Sequence, residues 1–401
     1  MSDLGFMEKL LDGVEVEWKP LSEGETKVAE LRRGRVMSKN YLLENSGNYP
    51  VYSSQTANNG QIGKINKFDF NGEYISWTTD GANAGTVFYR TGKFSITNVC
   101  GLIKISNVSE LSYKYLFYWL STEAKKHVYS GMGNPKLMSH QVAQIMIPIP
   151  PLEIQTEIVR ILDTFTELTT ELTTELTTEL NARRKQYNYY RDQLLLRADS
   201  TVKKLEDIAD IYLGLTYTPT YVELGVKFIS AQNTSKDFLD FSNVKYISEE
   251  EYEKSTSNAK PKRGDVLFTR VGSNLGHPLI VDTDEKLCMF VSLGFIRVNP
   301  EKVLNSYIKH WMNTDLFWSQ VRKKAYGAAK INLNTGWLKK FDVLLPSIDE
   351  QQRIVSTLEK FDTLTNSITE GLPREIELRQ KQYEHYRDKL LSFPKPGGSH
   401  V

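Results

Sequence analysis

Two stretches of the chain decide its fold because they are copies of one another: QTEIVRILDTF at residues 155–165 and QQRIVSTLEKF at residues 351–361. A second matching pair, KQYNYYRDQLL at 185–195 and KQYEHYRDKLL at 381–391, has the same offset, since 351 − 155 and 381 − 185 both give 196. A shared offset leaves no gap between the two pairs. We therefore interpret the chain as an internal duplication.

The matched ends enclose a regular apolar row. In the first copy, residues 166–180 read TELTTELTTELTTEL, and the second copy keeps apolar residues at the same spacing under a different sequence. An apolar residue at every fourth position predicts an amphipathic helix. We predict long helices over about 152–196 and 347–391, with a kink or one-turn interruption at the Gly-Leu-Pro of residues 371–373.

A long helix with one apolar face needs a partner, and the other copy is the obvious one. The intervening domain lets the chain return, so we expect an antiparallel pair. The residues predicted to pack the two helices together are Leu162, Phe165, Leu168, Leu172, Leu176, Leu180, Leu358, Phe361, Leu364, Ile368, Leu372 and Ile376.

The segments before the helices also match, more loosely. YPVYSSQ at 49–55 resembles VKFISAQ at 226–232, and GANAG at 81–85 resembles GSNLG at 272–276, each following a β-rich run. The predicted fold class is α+β, with two globular domains separated by a pair of long antiparallel helices in an internal pseudo-two-fold repeat. The predicted divisions are a domain at 1–151, a helix at 152–197, a domain at 198–346, a helix at 347–391 and a flexible tail at 392–401.

The chain ends carry a further hint of the duplication. The KLL of residues 9–11 stands ten residues before Leu21, as the QLL of residues 193–195 stands ten before Leu205. The N-terminus therefore resembles the tail of a helix repeat. We expect the two chain ends to lie close together.

Composition narrows the functional classes. The net charge of +1 and the pI near 7.7 disfavour a non-specific nucleic-acid coat, which is normally strongly basic. The two cysteines, Cys100 and Cys288, are interpreted as buried apolar thiols, which fits a reducing, cytoplasmic compartment. No signal peptide or stretch of membrane-spanning length is recognised. We expect no metal site.

Catalytic motifs are not found, and loop-borne polar residues remain. Phosphate-binding loops, dinucleotide fingerprints and a methyltransferase base-holding motif are not recognised. Lysine and arginine can hold phosphates, while Arg, Asn and Gln can read base edges. The candidate DNA-binding residues are Arg33, Arg35, Lys39, Gln55, Lys64, Asn83, Lys136, Gln232, Lys236, Arg263, Arg270, Asn274, Lys330 and Asn332.

The TELT repeat, its flanking blocks and the two divergent domains resemble specificity subunits of type I restriction–modification enzymes. The match is closest to the type IC-like subgroup, whose central helix carries short TAEL-like repeats. This resemblance covers essentially the whole chain. It implies two target-recognition domains, each reading one half of an asymmetric, interrupted site in double-stranded DNA, with the helices as a ruler.

The resemblance also implies partners and a division of labour. Two methyltransferase subunits and motor-nuclease restriction subunits would dock on this chain, which would itself be non-catalytic. The expected cofactors, S-adenosylmethionine, ATP and magnesium, would sit on those partners and not on this chain.

Two other readings stay open. One is a structural coiled-coil protein whose end domains bind other proteins; salt-dependent binding of a duplex would distinguish the two. The other is a self-sufficient methyltransferase, which the missing cofactor motifs disfavour.

Overall fold

The computed structural model describes residues 10–11, 14–130, 133–196, 200–255, 257–272, 274–325, 331–367 and 370–394. It divides into two compact units. The first comprises Met1–Leu172 with Arg379–Val401, and the second comprises Thr173–Leu378. Each unit contains one globular domain and a portion of each helical spacer.

The N-terminal domain is built on a six-stranded sheet. Its order is β2-β7-β5-β6-β3-β4, with β3 parallel to β6, and β1 pairs separately with β8. The strands are β1 Glu17–Pro20, β2 Ala29–Arg33, β3 Ser46–Tyr52, β4 Gln61–Ile65, β5 Phe70–Thr78, β6 Val87–Ile96, β7 Cys100–Ile105 and β8 Met146–Ile149; the helices are α1 Lys39–Glu44, α2 Tyr113–Glu123 and α3 Ser139–Ala143, with 3₁₀ turns at Ala57–Gly60 and Ala124–His127.

The C-terminal domain repeats this topology in shorter pieces. One sheet has the order β10-β17-β14-β15, a second has β11-β13-β12-β16 with β12 parallel to β16, and β18 pairs with β9. The strands are β9 Thr201–Lys204, β10 Ala209–Leu213, β11 Tyr221–Val222, β12 Val226–Ile229, β13 Lys245–Ile247, β14 Val266–Thr269, β15 Pro278–Ile280, β16 Leu287–Met289, β17 Leu293–Val298 and β18 Asp342–Leu345; the helices are α5 Leu205–Ile208, α6 Glu249–Lys254, α7 Asn305–Met312, α8 Asp315–Lys324 and α9 Thr335–Leu338, with a 3₁₀ turn at Ser257–Ala259.

A matching aromatic–glycine pair fixes the register of both sheets. Trp77 lies opposite Gly101, and Phe268 lies opposite Gly294, on neighbouring antiparallel strands. A Cβ atom at Gly101 would lie 2.2 Å from the Trp77 ring, and one at Gly294 would lie 2.4 Å from the Phe268 ring. Only glycine leaves room for these buried rings. The duplication read from the sequence is therefore present in the sheets as well.

The two long helical segments follow their apolar rows. The first, α4, runs unbroken over Leu152–Leu195, whereas the second is divided into α10 over Ile348–Asn366 and α11 over Gly371–Leu390. An interruption is therefore present, but it lies between Asn366 and Gly371, just before the residues 371–373 where it was expected. Pro373 then falls in the first turn of α11, where its missing N–H costs no helical hydrogen bond.

The helices pair in antiparallel fashion inside each unit. In the first unit the Phe165 and Tyr386 rings lie 5.7 Å apart, and the Thr166 and Tyr383 hydroxyls are 3.0 Å apart. In the second unit Arg184 donates to the Thr365 carbonyl at 3.4 Å, and the Tyr187 and Tyr190 rings both contact the Phe361 ring. The predicted fold class is therefore confirmed.

The residues predicted to pack the helices differ in burial. Leu162, Leu180 and Leu358 are buried, whereas Leu168 is 56% exposed. In the first unit a shallow cavity of about 170 Å³ is lined by Phe165, Leu168 and Leu172. The partly buried members of the set are Phe165, Leu172, Leu176, Phe361, Leu364, Leu372 and Ile376, and Ile368 lies outside the described residues.

Both ends of the chain contribute to the core of the first unit. Leu10 and Leu11 pack against the same core as Leu390, Leu391 and Phe393. The described segments nearest the two ends thus lie close together within this unit, in line with the expectation. The predicted flexible tail is wrong for Phe393, which is 8% exposed because its ring is covered by the domain's aromatic residues, while residues 395–401 lie outside the described part.

Cys100 and Cys288 are buried free thiols, as expected from their apolar surroundings. Burial raises the pKa of the Cys100 thiol to about 11. None of the helices in the described ranges is long and apolar enough to cross a membrane.

Candidate nucleic-acid interface

A buried glutamine at the start of the first spacer helix fixes the N-terminal domain to it. Gln155 Oε1 accepts a hydrogen bond from the Ser112 amide at 2.9 Å, and Gln155 Nε2 donates to the carbonyls of Glu110 at 2.7 Å and Pro150 at 2.8 Å. The side chain is fully buried. All three partners are backbone groups, so these hydrogen bonds do not depend on the side chains of the domain.

The second spacer helix repeats this arrangement. Gln351 Oε1 accepts from the Leu304 amide at 3.0 Å, and its Nε2 donates to the carbonyls of Lys302 at 3.1 Å and Pro346 at 3.0 Å. We call these two sets of hydrogen bonds the glutamine clamps. They hold two domains of different sequence on their helices in the same way.

Replacing Gln155 by leucine should loosen the N-terminal domain from its helix. Three backbone groups, one buried and two half-buried, would lose their partners, and a buried loss of this kind costs about 1–3 kcal/mol. We expect amides at 105–116 to exchange hydrogen at least about thirtyfold faster, as a change of about 2 kcal/mol implies. Hydrogen exchange followed by mass spectrometry measures this.

The duplication supplies the control for that experiment. Gln351→Leu should accelerate exchange at 300–308 and leave 105–116 unchanged. Thr156→Ala should alter neither region, since the Thr156 hydroxyl bonds only within its own helix. Equal protection in Gln155→Leu and the parent protein would contradict a clamping role.

Each domain also carries two loops that an asparagine joins. In the N-terminal domain, Asn83 Nδ2 in the Gly81–Gly85 turn donates to Thr56 Oγ1 at 3.2 Å. In the C-terminal domain, Asn274 Nδ2 donates to the Ser235 carbonyl at 2.9 Å. We call residues 55–60 with 81–85 the N-terminal loop pair, and residues 231–238 with 270–272 and 274–276 the C-terminal loop pair.

The backbone around these loops is also repeated. Leu137 N donates to the Thr79 carbonyl at 2.8 Å, and Leu333 N donates to the Arg270 carbonyl at 3.1 Å. The frame of the two loop pairs is thus shared, while their sequences differ. Divergent side chains on a common frame are expected of two modules that recognise different ligands.

Six of the predicted DNA-binding residues fall in the loop pairs. They are Gln55, Asn83, Gln232, Lys236, Arg270 and Asn274. The others are spread over the domains, mostly in exposed positions. Arg33 lies at the end of β2, Lys39 at the start of α1 and Lys64 in β4. Arg35 forms an ion pair with Asp69 and Arg263 forms one with Asp284, the backbone of Lys136 forms an isolated antiparallel β-bridge with that of Asp80, and Asn332 completes the set. Lys330 lies outside the described residues. Their contacts with nucleotides remain predictions.

Arg270 has a structural role that could not be inferred from its residue type. Its Nε donates to the Leu333 carbonyl at 3.1 Å, and its Nη1 donates to the Val291 carbonyl at 2.8 Å. Burial lowers the pKa of this guanidinium. The side chain therefore positions the segment that carries the exposed Asn332 beside the C-terminal loop pair.

A cleft of about 510 Å³ adjoins the C-terminal loop pair. Besides Gln232 it contains Tyr221, Asn243 and Lys245, which the sequence reading missed. The Lys245 ammonium lies 4.2 Å from the centre of the Tyr221 ring. Amide, ammonium and aromatic groups together suit the edges and phosphates of a nucleic acid. These residues are scattered over 25 positions of sequence, and only the strand pairing collects them.

Comparisons with known proteins assign the family. The family described as type I restriction modification DNA specificity domain matches residues 15–182 and 198–378, one copy for each domain. The specificity subunit of the Escherichia coli type I restriction enzyme EcoR124I/EcoR124II is 36% identical over 99% of this chain and 99% of its own length. That of the Mycoplasma pneumoniae enzyme MpnII is 43% identical over 42% of this chain and 50% of its own length.

A solved structure agrees at the level of the fold. A chain from work on complex assembly and conformational transition of the type I R-M system matches with a TM-score of 0.64 at 14% identity, covering 94% of this chain and 97% of that one. The family model thus matches once in each domain, and the Escherichia coli relative aligns over nearly the whole of both chains. This chain belongs to the specificity subunits of type I restriction–modification enzymes.

Proposed function

We propose that this chain is the sequence-reading subunit of a type I restriction–modification enzyme and recognises an interrupted, asymmetric DNA target, one half per domain. The main support for the proposal is that the two domains share one backbone arrangement, whereas the loop pairs on it differ in sequence. Two identical clamps hold two domains whose loop pairs differ in sequence. Two different readers on one frame recognise two different half-sites.

The length of the spacer helices sets the number of base pairs between the two half-sites. Four added residues lengthen an α-helix by about 6 Å and rotate its end by about 40°. One added base pair advances DNA by roughly 3.4 Å and rotates it by about 34–36°. The rotations nearly agree, and a helix inclined to the duplex projects less than its full length onto it. One TELT unit therefore sets one base pair of gap.

The chain reads DNA and leaves the chemistry to other subunits. Its relatives are specificity subunits of restriction enzymes, which fits a non-catalytic role. We place two methyltransferase subunits, which carry S-adenosylmethionine, and motor-nuclease subunits, which use ATP and magnesium, as its partners in the cytoplasm. The TELT repeats support placing it in the subgroup with short helix repeats.

Mapping methylated adenines tests this function. Co-expression with the cognate methyltransferase subunit should methylate one bipartite motif, with two unlike half-sites and a fixed gap. The purified chain alone, incubated with labelled S-adenosylmethionine and DNA, should transfer no label. A contiguous motif, or methylation without sequence preference, would refute the proposal.

Duplex binding separates this function from the coiled-coil alternative. With methyltransferase subunits present, affinity for a target duplex should fall steeply as salt rises, because phosphate contacts release counterions. A protein-binding scaffold would show no such salt-dependent duplex binding.

A further inference from the structure

The N-terminal loop pair contains a strained backbone. Asn58 has φ 50° and ψ 42°, Asn59 has φ 52° and ψ 32°, and Gly60 has φ 79°. Within the described ranges, Asn58 and Asn59 are the non-glycine residues with positive φ. Three successive left-handed residues persist only where the surroundings over-determine them. Both asparagine side chains are exposed.

A buried arginine side chain supports this strained backbone from the interior of the domain. Arg90, in the middle of β6, is 2% exposed and donates from Nη1 to the Asn59 carbonyl at 2.8 Å and from Nε to Ser76 Oγ at 2.9 Å. Its guanidinium lies 3.6 Å from the centre of the Tyr52 ring. A Cβ atom at Gly60 would lie 3.0 Å from Arg90 Nη2, so the glycine lets the loop rest on the guanidinium.

The charge of Arg90 is not neutralised where it sits. Among the described residues no carboxylate forms an ion pair with it, and its Nη2 has no hydrogen-bond partner. Removing a charge from water without a counter-charge is costly. A core of the same volume could be built from apolar residues. The fold therefore retains a positive charge directly beneath an exposed loop.

Further hydrogen bonds fix the loop from its sides. Gln55 Nε2 donates to the Gln61 carbonyl at 2.6 Å, and the Ser53 amide donates to the Gly60 carbonyl at 3.0 Å. Asn83 ties Thr56 to the neighbouring turn. The result is a rigid platform that presents two carboxamides to solvent.

We propose that Asn58 and Asn59 read base edges in the half-site of the N-terminal domain, with Arg90 as the positioning residue. This inference rests on the proposed function. A carboxamide can form paired hydrogen bonds with N6 and N7 of adenine in the major groove. Fixing it beforehand lowers the entropy lost on binding, and the uncompensated charge beneath the loop favours the approach of a polyanion.

A glycine variant removes the amides and keeps the backbone. Glycine adopts positive φ freely, so Asn58→Gly/Asn59→Gly should preserve the loop. In a methylation assay on a library of half-site variants, with the methyltransferase subunits present, discrimination at one or two positions of one half-site should fall roughly tenfold to a hundredfold. The other half-site serves as the internal control and should be unchanged.

If the double glycine variant folds poorly, single aspartate variants provide the test instead. Aspartate tolerates the left-handed region but only accepts hydrogen bonds, so Asn59→Asp or Asn58→Asp should shift the preference at one position from adenine towards cytosine. Asn107→Gly, in an exposed turn after β7 outside the N-terminal loop pair, should change no preference.

Arg90→Lys tests the positioning role. It should relax the same base positions as the asparagine variants, and it should add little in the Asn58→Gly/Asn59→Gly background because both act on one interaction. A merely structural arginine would lower stability without altering base preference.

The possible results distinguish a failure of this inference from a failure of the proposed function. If the parent complex methylates a bipartite motif and the folded asparagine variants keep its base preferences, the inference is overturned and the function stands. If the parent complex shows no bipartite motif, the proposed function fails first.

Discussion

Deletion of residues 170–173 should shorten the gap in the recognised target by one base pair and leave both half-sites unchanged. The deletion removes one TELT unit and preserves the four-residue spacing of the leucines, so the apolar row stays continuous. It falls where the chain passes from one compact unit to the other, after Leu172. Methylation at the parental site should fall to background, and the shortened site should become the substrate.

A two-residue deletion is the matched control. Removing residues 170–171 turns the following helix by about 200° and takes the leucines out of line. We expect no well-methylated target of any gap length. Methylation mapping that showed altered half-site bases after the four-residue deletion, with the gap unchanged, would contradict the ruler.

Exchanging residues 20–150 for those of a relative with another target should switch one half-site completely. The glutamine clamp permits this, because Gln155 bonds only to backbone groups of the incoming domain. The donor should keep aromatic residues equivalent to Tyr115 and Trp119, whose rings contact Phe393. Sequencing of methylated sites should give a hybrid motif.

The reciprocal exchange of residues 198–346 should switch the other half-site. The two exchanges together test independence, since each leaves the opposite domain untouched. A change in both halves after either exchange would show that the domains do not read separately.

The first spacer helix could be predicted from the sequence almost to the residue, whereas the second is broken just before the residues where an interruption was expected. Helix α4 was expected over about 152–196 and is found at Leu152–Leu195. The apolar row and the prolines that define it are local, so no distant contact decides the outcome. The repeat of the domains could also be predicted, because the segments at 49–55 and 81–85 have counterparts at 226–232 and 272–276.

The clamps and the strained loop could not be predicted. Gln155 and Gln351 occupy the same position in the two quoted stretches, but two of the three partners of each lie more than forty residues upstream. The Asn58-Asn59-Gly60 sequence indicates a turn, yet only the sheet brings Arg90 beneath it.

The packing of Phe393 has a consequence for biosynthesis. The ring packs on Tyr115 and Trp119, but the ribosome adds it only after the entire second unit has been synthesised. A nascent or prematurely terminated chain therefore displays uncovered aromatic surface, which proteases and chaperones engage.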